Sequence, residues 1–151
     1  MIEIALYQPD IAANAGTVMR LAACLGVRVA VIEPAGFTWS DSSLKRAGMD
    51  YLDKADLIRD SSWDAFRERT AGRRLVLMTT KSAMSYCDFR FVAGDVIVLG
   101  RESAGVPDAV HRAADARLLI PMRPGLRSIN VALACAMATG EALRQLQSFP
   151  R

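Results

Sequence analysis

Ile2, Ile4 and Leu6 alternate with Glu3, Ala5 and Tyr7 at the start of the chain, the two-residue period of a strand, and Pro9 closes it. A loop follows. Asn14 then reads as the cap of a helix in which Val18, Leu21, Ala22 and Leu25 make one apolar stripe and Gly26 marks the end. Arg20 falls off that stripe. Further strands are predicted over Arg28–Ile32, Ala55–Arg59, Leu75–Thr79, Val96–Leu99 and Arg117–Ile120, with helical patterns between several of them. This alternation predicts an α/β fold, a mostly parallel sheet flanked by helices. No repeat, low-complexity tract or Pro/Gly/Ser linker interrupts it, so residues 1–151 form a single predicted domain.

The last predicted helix runs roughly from Ser128, its expected cap, to Gln147. Ile129, Val131, Leu133, Cys135 and Met137, with the alanines between them, make it apolar all round, the pattern of a helix buried on every side. Its own sheet covers one side. For the other side two readings carry equal weight: a second copy of the chain in a homodimer, or tight packing within one chain. Ala132, Ala134, Ala136, Ala138 and Gly140 would let another backbone approach closely.

Composition narrows the function classes. A net charge of +3 and a pI near 9.0 permit an RNA partner without requiring one. Cys24, Cys87 and Cys135 are odd in number and widely spaced, which suits a reducing compartment better than a disulfide framework. The N-terminus does not read as a signal peptide, and no run reaches the ~18 apolar residues of a membrane span. A soluble, cytoplasmic protein without a membrane partner is expected. Neither G-x-G-x-x-G nor G-x-x-x-x-G-K-[ST] occurs, which disfavours dinucleotide and NTP enzymes. His111 is the only histidine and no C-x-x-C is present, so no metal site is predicted. Nothing local marks Cys87 with His111 as an activated pair, and His111 reads as a surface residue of a short helix.

Three loops carry residues that turn and cap chemistry does not fully explain. PDIAANAGTVMR, Pro9 to Arg20, holds Asn14 and a permissive Gly16, with Arg20 within two turns of a helix start at a strand's carboxyl end, where α/β ligand sites form. LGRESAGVP, Leu99 to Pro107, brackets Glu102 between Gly100 and Gly105, and Pro107 suits a first helical position. Glu102 is either a helix-end anion or an organiser of the site. IPMRPGLRSIN, Ile120 to Asn130, sets Arg123 and Arg127 in one loop, where they suit phosphate or carboxylate contacts.

Together these loops resemble the motifs of the SPOUT class of RNA methyltransferases over the full length of the chain. LYQPDIAANAG, VIEPAGF, RAGMDYL, LMTTK and RSINVALACAMATGEALRQL are similar to the short subgroup that 2′-O-methylates the wobble nucleotide of tRNA. The resemblance implies a C-terminal trefoil knot, S-adenosyl-L-methionine as cofactor, S-adenosyl-L-homocysteine as product, and an obligate homodimer. It implies that Met78, Gly100, Ile120 and Ser128 hold the cofactor. Arg20 matches the family's central catalytic arginine, with Asn14 and Glu102 holding the catalytic loops. Neutralising a guanidinium at neutral pH costs on the order of 7 to 9 kcal/mol, so Arg20 is read as an orienting and charge-stabilising group. Asn130 is assigned to the substrate side, and Lys81, Arg123 and Arg127 to tRNA phosphates. Lys45 and Arg46 stand further out, where plain solvation is an equal reading. The implied reaction is methyl transfer to the ribose 2′-hydroxyl of pyrimidine 34 of certain tRNAs, leucine isoacceptors among them. The rivals are 2′-O-methylation of another tRNA or rRNA nucleotide, a catalytically inactive RNA-binding relative and, third, a small-molecule α/β enzyme. The subgroup often has proline where Arg101 stands, serine at Ala132 and tyrosine at Gly140.

Overall fold

The computed structural model describes all residues, 1–151. Six parallel strands form one sheet: β1 (Glu3–Tyr7), β2 (Arg28–Ile32), β3 (Leu57–Asp60), β4 (Leu75–Met78), β5 (Val96–Leu99) and β6 (Ala116–Leu118), in the spatial order β3-β2-β1-β5-β4-β6. Five helices cover it: α1 (Ala12–Leu25), α2 (Ser42–Gly48), α3 (Trp63–Arg69), α4 (Asp108–Ala113) and α5 (Val131–Leu146). The period of two sorts the strand side chains between two cores. Ile4 and Leu6 of β1, with Val29, Val31, Val76, Ile97 and Leu99, pack against α1, α2 and α5. Ala5 and Tyr7 point the other way, where Ala30, Ile32, Leu77 and Val98 meet Phe66 of α3 and Val110 of α4.

Several element ends differ from the sequence expectation. Asn14 is not the cap of α1. The helix begins at Ala12 after Ile11 without a side-chain cap, and the Asn14 amide is engaged in tertiary bonds instead. Gly26 does end α1, donating to the Ala22 and Ala23 carbonyls. Gly16 is more than permissive, because a Cβ there would lie 2.5 Å from the Leu44 carbonyl oxygen of α2. Ser128 does not cap the last helix. Asn130 does, its Oδ1 accepting from the amides of Ala132 at 2.8 Å and Leu133 at 3.3 Å, a geometry asparagine supplies as well as serine. Pro107 flanks α4 rather than starting it. β3 starts two residues late, at Leu57, because Ala55 still caps the 3-10 turn Met49–Lys54, its N–H donating back to the Leu52 carbonyl.

The last helix is not buried on every side within one subunit. Ala132, Cys135, Ala138, Thr139, Ala142 and Leu143 face the core, but Leu133 and Met137, one turn apart, are 59% and 40% exposed.

Candidate active site

The strand order places the site. From β1 the chain moves to β2 on one side, while β5 leads to β6 on the far side, so the loops leaving β1 and β5 part above neighbouring strands. In open α/β sheets ligands bind in such crevices. A cavity of about 630 Å³ opens there, within the ~300–1,000 Å³ usual for small-molecule sites. Segments following β1, β4, β5 and β6 all line it. Met78, Leu99, Ile120, Met122, Ile129 and Ala134 give it an apolar floor, and Asn14, Lys81, Arg101, Glu102, His111, Ser128 and Asn130 supply polar groups.

The loop after β5 is pinched shut by two bonds, Arg101 N–H to the Gly105 carbonyl and Gly105 N–H to the Arg101 carbonyl, both 2.9 Å. Only glycine fits at position 100, since a Cβ would sit 2.7 Å from the Gly105 carbonyl carbon. The pinch presents Glu102 to the loop after β1. Its carboxylate accepts from the Asp10 amide at 3.1 Å and from Asn14 Nδ2 at 3.4 Å. Asn14 Oδ1 accepts in turn from Asn130 Nδ2 at 3.1 Å. One chain of hydrogen bonds therefore joins three loops that lie far apart in sequence.

Glu102 and Asp10 face each other. Burial, and then the neighbouring Asp10, push the Glu102 carboxyl above the usual carboxylate range. The bond with Glu102 holds Asp10 below it, a second bond coming from the Ser103 hydroxyl. Glu102 thus ties the loop after β5 to the loop after β1 through Asp10 and Asn14, and burial favours its protonated form.

Residues 1–140 match the SpoU rRNA Methylase family. The tRNA (cytidine(34)-2′-O)-methyltransferase of Ancylobacter novellus is 57% identical over 152 residues, covering 99% of this chain and 96% of that protein. The chain belongs to the SpoU methylase family. A solved structure from work on the 2-OH methylation of C/U34 on tRNA superposes with a TM-score of 0.93 at 41% identity, covering 97% of both chains. An AdoMet-bound rRNA methyltransferase from Sinorhizobium meliloti superposes at 0.85 with 26% identity, covering 96% of this chain and 56% of that one.

In this SpoU-family chain the residues predicted from sequence separate into two groups. Met78, Gly100, Ile120 and Ser128 line one cavity together with Asn14, Glu102, Lys81 and Asn130. Arg20, Arg123 and Arg127 do not line it, and all three are exposed. Arg20 is six residues beyond Asn14 on α1, about 9 Å along and about 120° around the helix, with its guanidinium 5.4 Å from the Tyr51 ring centroid. Lys45 and Arg46 are exposed on α2. Sequence reasoning missed Asp10 and the cavity position of His111. Asp10 lies in a motif already singled out, but nothing local says that its amide meets Glu102 across 92 residues.

S-adenosylmethionine, the family's methyl donor, fits the donor set. The floor suits an adenine ring, and the strand-end backbone at Met78, Gly100 and Ile120 offers amides and carbonyls. No group of three or more His, Cys, Asp or Glu is placed to hold a metal ion, and no helix is long and apolar enough to cross a membrane.

Proposed function

We propose that the chain transfers a methyl group from S-adenosylmethionine to the ribose 2′-hydroxyl of the wobble pyrimidine, nucleotide 34, of tRNA, with leucine isoacceptors among its substrates. The observation that carries this reading is the cavity at the β1/β5 divergence, an apolar slot edged by the Glu102–Asn14–Asn130 chain. Bound there, the donor supplies an electrophilic methyl group and leaves as S-adenosylhomocysteine. Met78, Gly100, Ile120 and Ser128 hold it. Glu102 and Asn14 fix the loop after β1, and Asn130 fixes the start of α5 at the substrate side. Lys81 at the rim and Arg123 and Arg127 on the exposed 121–130 loop meet RNA phosphates. A tRNA substrate puts the reaction in the cytoplasm.

The active unit is a homodimer in which Arg20 acts in the partner's site, orienting the ribose and stabilising developing charge. Two observations support this: the Arg20 guanidinium stands outside its own cavity, and Leu133 and Met137 leave an apolar stripe uncovered on α5. The C-terminal half is proposed to be knotted. The loop 79–95 bonding across Leu119, through Leu119 N–H to the Met84 carbonyl and Tyr86 N–H to the Leu119 carbonyl, supports that path.

Incubation with labelled S-adenosylmethionine and tRNA from cells lacking the enzyme, followed by nucleoside mass spectrometry, tests the reading. A 2′-O-methyl pyrimidine at position 34 is expected. A ribose methyl elsewhere would move the target, and tRNA binding without transfer would make the chain an inactive binder. Arg20→Ala should lower kcat about 10²- to 10³-fold, the range for losing one charge-stabilising donor. Mixed dimers locate its action. An Arg20→Ala subunit paired with a Gly100→Val subunit keeps one complete site only if Arg20 acts across the interface, so recovered activity is expected and none would place Arg20 in its own site.

A further inference from the structure

Five arginines are half-buried: Arg69, Arg73, Arg74, Arg101 and Arg117. Four of them are matched. Arg69 and Arg73 bind Glu3, Arg74 binds Asp95, and Arg117 donates to the carbonyls of His111, Arg112 and Ala114. Arg101 alone meets no carboxylate and no carbonyl, and its Nε is buried without a partner. A guanidinium nitrogen removed from water without an acceptor is costly, and native proteins rarely leave one so. Its placement is fixed nonetheless. The backbone pinch to Gly105 anchors the residue, and the guanidinium carbon lies 5.7 Å from the centroid of the Tyr7 ring. A second orphan lines the same cavity, since His111 Nε2 on α4 is also buried without a partner.

We propose that Arg101, assisted by His111, forms an oxyanion subsite in the cavity wall. This rests on reading the cavity as the methyl-donor site. The ligand it fits is a singly charged oxyanion entering with the substrates: the carboxylate of the donor's amino-acid arm, or a phosphodiester of the RNA beside the target ribose. Arg101 presents a planar fork of donors suited to either. His111, in the tautomer with its proton on Nε2, adds one more. Asp108, one turn before His111 on α4 and also at the cavity, opposes an anion near His111, so Arg101 carries the larger share of the subsite and His111 the smaller.

Calorimetry on the full chain tests this with Arg101→Gln, Arg101→Lys and His111→Gln. Three probes are used: S-adenosylhomocysteine, 5′-methylthioadenosine, which lacks the amino-acid arm, and tRNA over a range of salt. The Arg101 guanidinium makes no hydrogen bond within the chain and the backbone pinch does not depend on the side chain, so Arg101→Gln should shift the unfolding midpoint little, through the lost contact with Tyr7 alone. If the carboxylate is the ligand, Arg101→Gln weakens S-adenosylhomocysteine about tenfold, the scale of one charge-assisted bond, and leaves methylthioadenosine unaffected. If a phosphate is the ligand, the cofactor product binds normally while tRNA weakens about tenfold and its salt slope falls by about one. In either case Arg101→Lys recovers part of the loss and His111→Gln gives a smaller loss on the same probe. Unchanged binding of all three probes to Arg101→Gln would overturn the subsite. Failure of the wild-type chain to bind S-adenosylhomocysteine would instead overturn the donor reading of the cavity, and an unaltered tRNA affinity in Arg101→Gln would then overturn the subsite as well.

Discussion

Glu3, at the start of β1, is 1% exposed and accepts from two arginines, Arg69 Nη2 and Arg73 Nη1, each at 2.6 Å. Arg101, just past the carboxyl end of the neighbouring β5, is half-buried and meets no acceptor. The contrast extends to their neighbours. Arg69 also bonds Asp60 from the end of β3 at 2.9 Å, and Arg74 bonds Asp95 at 2.7 Å where the chain enters β4 and β5. At the carboxyl ends, His111 Nε2 and Arg101 Nε, both at the cavity, are orphaned. The ion cluster under α3 is complete in the free protein and belongs to the fold. The polar groups above the sheet are left incomplete, a cost of desolvation that binding can recover.

The contrast is broken most severely at Glu3. Burial works against its charge, yet the bonds from Arg69 and Arg73 win and hold the carboxyl below the usual glutamate range. Glu3→Gln leaves Arg69 with Asp60 alone and Arg73 with only the Gly94 carbonyl, and should destabilise by about 3 kcal/mol in urea unfolding, the low end for a broken buried pair, while kcat/KM of the folded fraction stays at the wild-type value. The sign in pH follows from the lowered value. Glu3 contributes fully above the ordinary glutamate value, and that contribution disappears as pH falls through the lowered one. The gap between wild type and variant should therefore close in acid. A gap that persisted there, or a large drop in activity, would mean that the cluster serves the site as well as the fold.

The two regions also differ in how far the sequence reveals them. The strand alternation in residues 2–6, the α1 stripe and the glycine-bracketed turn at Leu99–Pro107 are local signals, and each element stands where its pattern predicts. The cavity residues Met78, Gly100, Ile120 and Ser128 were legible through resemblance because the site is built from contiguous loop motifs. The ion cluster was not legible. Glu3 lies 66 and 70 residues from its partners, and an arginine before a strand carries no mark of its carboxylate. Strand order was hidden for the same reason, since no short-range pattern says that β1 lies between β2 and β5. The cap of α5 was misread because Ser128 and Asn130 are both good capping residues, and only the backbone path decides which reaches the free amides.

A substitution at Asn130 sharpens the comparison, because this residue serves fold and site with different atoms. Oδ1 caps α5 and Nδ2 reaches Asn14. Asn130→Ala removes both and should cost about 1 kcal/mol of stability, together with a loss of turnover. Asn130→Asp keeps the capping oxygen and replaces the donor to Asn14 by an acceptor. Unfolding should then return to the wild-type value while kcat remains depressed up to about tenfold, the scale of one neutral hydrogen bond. Full activity in the aspartate variant would show that the Asn14 link is dispensable and that Asn130 matters only as a cap.

The smallest expected effect is on stability at Glu102. Its carboxyl is pushed up by burial first and by Asp10 second, the reverse of Glu3. A raised value means that the stabilising, protonated form is fully present below the ordinary glutamate value, and its contribution is lost as pH rises through the raised one. Glu102→Gln mimics that protonated form: its oxygen can still accept from the Asp10 amide, and its nitrogen can donate to the Asp10 carboxylate. Wild type and variant should unfold alike near pH 4. As pH rises the variant should become the more stable, by less than about 1 kcal/mol for a group that solvent still reaches. Activity decides what the carboxyl is for. If Glu102 only organises the loops, the variant keeps at least about a tenth of wild-type kcat/KM, because the geometry survives with one bond to Asn14 weakened. A loss of 10³-fold or more without any loss of stability would instead make the ionised carboxylate part of the chemistry, and the proton it favours keeping would then have to leave before methyl transfer.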